Sequence, residues 1–181
     1  KHIQVERLKN AVKRRLTEMV RLNRSRLSFL EKFQKMIDDY NSGAINVELF
    51  FDTLLAFAKE LREEEKRGIS ENLTEEELAI FDLLYKPDLS EKEKREVKRV
   101  AKRLLTVLKK EKLVLDWRKR QQTRADVVLT IRDILDEGLP RSYTPEVYQQ
   151  KCDLVYLHVY DAYYGLGGSV YAAGAQAGIH R

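Results

Sequence analysis

The chain has 181 residues, of which 43% are hydrophobic and 35% charged, and a formal net charge of +5. That length makes one domain or two very small ones, and the apolar share excludes global disorder. One cysteine, Cys152, and three histidines exclude a disulfide framework and leave little for a Cys- or His-based metal centre. No apolar run approaches the roughly 18 residues of a membrane span, so the expectation is a reduced cytoplasmic protein with no membrane contact. The chain starts at Lys1, already inside a helical pattern, and reads as a piece of a larger protein.

Eight glycines and three prolines are few breakers for this length, which favours long helices. Leu8, Val12, Leu16, Met19, Leu22, Leu30, Phe33, Ile37 and Tyr40 recur mostly at steps of three and four. They predict one long helix over residues 5–41, about 55 Å in length. Gly43 stops it. Asn46 is a predicted N-cap for a second helix over 47–67, ended by Gly68, whose charged end from Glu60 to Lys66 projects into water. Thr74 with Glu77 and Ser90 with Glu93 are capping boxes, opening helices over 75–85 and 91–112. The run Leu113-Val114-Leu115 is strand-like but too short to build a sheet. Asp116 is expected to cap a fifth helix over 117–137. Thr144 and Pro145 start a sixth, reaching about residue 164. The fold class is therefore all-α: an irregular bundle of about six helices with a long N-terminal helix. A helical interaction domain over 1–165 is followed by a flexible Gly/Ala-rich tail over 166–181.

Charge falls in blocks. Residues 1–45 carry 11 basic and 5 acidic side chains, 46–90 carry 5 and 12, 91–124 carry 14 and 5, and 125–181 carry 4 and 7. Alternating blocks suit interfaces and solvated helix faces better than one continuous nucleic-acid surface. Candidate nucleic-acid contacts are Arg14 and Arg15 on the first helix, Lys98, Arg99 and Lys102 on the fourth, and Arg118 and Arg120 beside Trp117. Trp117 would stack a base there or, more in keeping with a lone Trp at a helix start, anchor the core. No phosphate loop, nucleophile elbow or paired metal-binding histidines occurs. Gly165-Leu166-Gly167-Gly168 follows a helix rather than a strand and reads as tail. The runs Glu63–Glu65 and Glu75–Glu77 read as solvent-facing acids, His158 with Asp161 as a solvent-facing hydrogen bond, and Cys152 as a small buried hydrophobe. Tyrosines crowd the C-terminal quarter, and Tyr is enriched at interfaces. Tyr156, Tyr160, Tyr163 and Tyr164 are the candidate partner-docking residues.

Several stretches occur in an order that resembles one family. They are Met19-Val-Arg-Leu-Asn-Arg24, Phe29-Leu-Glu-Lys-Phe33, Tyr40-Asn-Ser-Gly43, Ala58-Lys-Glu-Leu-Arg62, Leu73-Thr-Glu-Glu-Glu77 and Asp116-Trp-Arg-Lys-Arg120. Tyr148 to Tyr164, with Lys151-Cys-Asp153 and His158-Val-Tyr160, completes the series. The pattern is similar to the C-terminal helical region of the restriction (R, motor) subunit of type I restriction-modification enzymes, over roughly residues 18–172. The resemblance implies a prokaryotic, cytoplasmic subunit that translocates and cleaves DNA, using ATP and Mg in nuclease and helicase domains upstream. It implies that this region is non-catalytic, holds no cofactor, packs on those helicase domains and docks onto the methyltransferase and specificity subunits. The alternative left open by the residues is a helical nucleic-acid-binding module using the basic faces of helices 1 and 4.

Overall fold

The computed structural model describes residues 1–172, and the chain divides into two compact units, Lys1–Asn72 and the part from Leu73 on. The all-α expectation holds, with seven α-helices among the described residues.

The first unit holds α1 (His2–Leu22), α2 (Leu27–Asn41) and α3 (Val47–Ser70). The single long helix predicted over 5–41 is two helices. Asn23, fully buried, takes an extended conformation (φ −151°, ψ 107°), and its side chain accepts from the Ser25 amide and hydroxyl. A 3-10 turn, Arg24–Arg26, follows. The reason is geometric. An unbroken helix of ~55 Å would overrun α3, whose 24 residues span about 36 Å. The break lets α1 and α2 both pack against α3. Val12, Leu16, Met19, Phe33, Phe50, Leu54, Phe57 and Leu61 make the core, with Phe33 stacked on Phe57 at 5.8 Å and Tyr40 on Phe50 at 4.3 Å.

The charged end of α3 does not simply project into water. Glu64 is drawn in to Arg26, whose side chain is 1% exposed, and it also pairs with Arg67 at 2.9 Å. Glu65 grips Arg15 through both carboxylate oxygens, and Glu60 holds Lys32. Gly68 does not end the helix; it lies buried inside it, and α3 continues to Ser70.

The second unit closes four helices into a ring: α4 (Glu75–Leu84), α5 (Glu91–Val107), α6 (Gln121–Gly138) and α7 (Pro145–Ala162), each packed on the next, with α7 returning to α4. Both predicted capping boxes form. Leu78, Phe81, Leu84, Val97, Leu104, Val127, Ile131, Leu135, Val155 and Val159 fill the interior. Tyr143 ties the α6–α7 loop down by donating its hydroxyl to the Leu84 carbonyl at 2.6 Å, and burial pushes its phenol up to about 12. A phenol held above its unfolded value favours the fold while protonated. That share of stability is complete below pH 10 and is lost as pH climbs toward 12. Tyr143→Phe should therefore flatten the alkaline limb of a melting-temperature profile over pH 10–12, while lowering stability near neutrality by about 1 kcal/mol.

Two joints of this unit differ from expectation. The fourth helix ends in a wider π turn, Leu108–Lys112. Asp116 then caps nothing with its side chain; it takes a left-handed conformation (φ 55°), so that Trp117–Lys119 forms a 3-10 turn and α6 starts only at Gln121. The sharp turn drives the Trp117 indole into the core. α7 ends at Ala162, short of the expected 164, and β1 (Tyr163–Gly165) pairs antiparallel with β2 (Gly168–Ser169) from the start of the expected flexible tail, forming a small hairpin with Val170 buried. The remainder of the predicted tail, 173–181, lies outside the described residues. Leu113-Val114-Leu115 forms no strand, but the Leu113 carbonyl accepts the Leu166 amide. Gly165 sits at φ 104°, where a Cβ would lie 2.6 Å from the Val114 carbonyl oxygen. Gly165→Ala combines a backbone clash with a left-handed penalty and should destabilise the second unit by about 2–4 kcal/mol in urea unfolding.

Candidate functional site

The residues with most to offer a partner gather where the 3-10 turn, the end of α7 and the hairpin meet. Trp117 is the base. Its indole is fully buried, donates to the Tyr163 carbonyl at 3.1 Å, and meets the Tyr160 ring edge-on at 5.8 Å. The next residue, Arg118, is thereby carried to the surface. Its guanidinium lies 5.5 Å from the Tyr160 ring centre and 5.1 Å from that of Tyr164, and it donates to the Tyr160 carbonyl. Tyr160 and Tyr164 are 37% and 41% exposed, so the stack is open to solvent. Cation–π contact orders the guanidinium without neutralising it. The Arg124 guanidinium donates to the Arg118 carbonyl, and that of Arg120 to the Leu115 carbonyl, so both arginines stay beside the stack.

Of the four tyrosines expected to dock a partner, Tyr160 and Tyr164 are on this surface. Tyr156 is half-buried and packs on the Tyr160 ring at 6.2 Å, with burial raising its phenol pKa and Arg124 opposing the rise. Tyr163 is a correction. It is 3% exposed, faces inward and donates its hydroxyl to Glu76, and burial beside that carboxylate pushes its phenol far upward. Strand alternation at β1 sends Tyr163 and Tyr164 to opposite faces, so adjacent tyrosines cannot both be exposed there. The surface also holds side chains not singled out from the sequence. Val114, Leu115 and Leu166 are 38%, 57% and 71% exposed. The only signal for them was the apolar run at 113–115.

The candidate nucleic-acid residues separate. Arg15 is spent on Glu65, and Arg14 is exposed on α1. Lys98 lies 5.9 Å over the Phe81 ring, while Arg99 and Lys102 stand on the outer side of α5. Arg118 and Arg120 belong instead to the tyrosine surface. The acidic run at 75–77 is put to structural use: Glu77 completes a cap, and Glu76 pairs with Lys109 at 3.0 Å. His158 is not solvent-facing; it is buried, edge-on to the Tyr163 ring. Cys152 is buried as expected, and that burial raises its thiol pKa. Among the described residues no cluster of three or more His, Cys, Asp or Glu side chains is placed to hold a metal ion. No helix among them is long and apolar enough to cross a membrane.

Residues 1–160 match the family model described as type I restriction enzyme HindI endonuclease subunit-like, C-terminal. The chain belongs to this family. It is 29% identical over 113 residues to a protein of Methanocaldococcus jannaschii named as a type I restriction enzyme MjaIXP endonuclease subunit. The match covers 61% of this chain and 11% of that relative, so the chain corresponds to a small part of the relative's length. No solved structure matches the chain. Membership makes it the C-terminal region of an endonuclease subunit, and the resemblance drawn from the ordered motifs is thereby shown. The tyrosine–arginine surface straddles the end of the matched range: Trp117, Arg118 and Tyr160 lie inside it, Tyr164 and Leu166 beyond it.

Proposed function

We propose that this chain is a non-catalytic docking region. It holds the endonuclease subunit of a type I restriction enzyme against the methyltransferase and specificity subunits, in the cytoplasm of a prokaryote. DNA translocation and cleavage, with the ATP and Mg they use, belong in this reading to nuclease and helicase domains elsewhere in the subunit, on which this region also packs. No cofactor is assigned to the chain itself. The observation that carries the reading is the Arg118 guanidinium held between the exposed rings of Tyr160 and Tyr164, with Leu115 and Leu166 exposed close by. Tyr and Arg are the residues that dominate protein–protein hot spots. Here their side chains are already stacked, so little rotamer freedom is left to lose on binding.

The test is assembly. Tyr160→Ala with Tyr164→Ala in the full subunit should weaken its association with the methyltransferase core about thirtyfold or more, as two hot-spot truncations of about 1–2 kcal/mol each would. Sedimentation velocity reads this directly. Unchanged assembly by a folded variant would sink the reading.

A further inference from the structure

We propose that the outward face of α5 binds the phosphate backbone of duplex DNA, through Lys92, Arg95, Arg99 and Lys102. The two basic stretches that look alike in the sequence differ in what the fold leaves unspent. Lys1, just before α1, pairs with Glu48, and on α1 Lys9 pairs with Glu6, Arg15 with Glu65 and Arg21 with Glu18. Among the described residues, Arg7, Lys13 and Arg14 are the cations of that helix without an ion pair. On α5, none of Lys92, Arg95, Arg99 or Lys102 pairs with a carboxylate among the described residues, and the next cation, Arg103, is already held by Glu137. The acids of the same helix leave these cations unpaired: Glu91 and Glu96, which flank the stripe, form no ion pair with them, and Glu93 is turned to Ser142 and Ser90, bonds that keep its carboxyl below the ordinary range.

Spacing does the rest. Steps of three, four and three residues keep the four cations on one stripe, opposite the buried face formed by Val97, Ala101 and Leu104. The stripe is about 15 Å long, and duplex DNA presents roughly nine phosphate charges over such a length. Chemistry favours a nucleic acid over an acidic protein here. Val97, Val100 and Ala101, the apolar side chains of α5 between Lys92 and Lys102, are all buried, so the stripe has no anchor of the kind a protein hot spot needs. Phosphate contact needs only spaced cations. The apolar and aromatic anchors sit instead at Arg118, on the surface assigned to docking.

The experiment is fluorescence anisotropy of a labelled 20-base-pair duplex titrated with the whole 181-residue chain. Four phosphate contacts should give a log–log salt slope of about −3.6, so binding weakens roughly a hundredfold between 50 and 200 mM salt. The variant Lys92→Gln, Arg95→Gln, Arg99→Gln, Lys102→Gln should abolish that slope and most of the affinity. The milder pair Arg95→Gln, Arg99→Gln should halve the slope while keeping the helical circular dichroism unchanged. Arg7→Gln with Lys13→Gln on α1 should leave binding within twofold. Absence of duplex binding at 50 mM salt overturns the proposal. So does binding untouched by the α5 variants, or polyglutamate competing as well as unlabelled duplex. The docking reading is scored separately, by complex assembly, and is unaffected by any of these results.

Discussion

Arg26→Ala should unfold the first unit or leave it barely stable. The Arg26 guanidinium is 1% exposed and bonds both the Glu64 carboxylate and the Met19 carbonyl, at the point where α1 breaks. Removing it leaves a carboxylate that is only 10% exposed with Arg67 as its remaining partner, takes a donor from the Met19 carbonyl and opens the joint that turns α2 onto α3. Breaking one side of a buried ion pair costs about 3–5 kcal/mol. For a unit of this size that is a fall of at least ~12 °C in Tm, against a total stability on the order of 5 kcal/mol. Thermal circular dichroism, with limited proteolysis to localise the loss, checks it. The matched replacement Arg26→Met with Glu64→Leu removes both charges and keeps the volume. It should recover most of the stability, because no buried charge is left alone. If Arg26→Ala melts with the wild type, the joint is held by apolar packing alone.

Trp117→Ala should be the most damaging change in the second unit. The side chain is fully buried, its Nε1 satisfies the Tyr163 carbonyl, and its ring supports Tyr160 edge-on. Truncation of a buried Trp costs about 3–5 kcal/mol, and the orphaned carbonyl adds to it. Function should fail along with stability, because the Arg118 stack rests on this indole. Trp117→Phe separates the two effects. It retains most of the packing, loses about 1–2 kcal/mol with the hydrogen bond, and should leave assembly with the methyltransferase core near normal. Since Trp117 is the only tryptophan, its fluorescence follows the wild-type unit during urea unfolding. Assembly that survives Trp117→Ala in a still-folded subunit would show that docking does not need the Tyr160–Arg118–Tyr164 arrangement.

Local signals were mostly read well and long-range ones poorly. Thr74 with Glu77, Ser90 with Glu93, Asn46 and Thr144 all cap the helices they were expected to open, because a cap is settled within four residues. The break at Asn23 falls in the one gap of the apolar stripe, between Leu22 and Leu30; that gap and the capping Asn23 are the local signal for it, while the Arg26–Glu64 pair that holds the joint spans 38 residues. Asp116 has the composition of a cap, yet the burial of Trp117 demands a left-handed turn there instead. Of the candidate site, the crowding of tyrosines and the block of basic residues were visible. Which tyrosine faces out and which cation stays unpaired were not.

Scarcity of glycine and proline, the three- and four-residue apolar spacing and the ordered motifs were enough to specify a helical chain of the type I endonuclease-subunit family. These are properties of composition and of neighbours along the chain. The division into two units, the turning of Tyr163 inward and Tyr164 outward, and the sorting of spent from unspent cations depend on partners distant in sequence. A carboxylate 50 residues away decides whether Arg15 carries a usable charge, and helical periodicity holds no information about that distance.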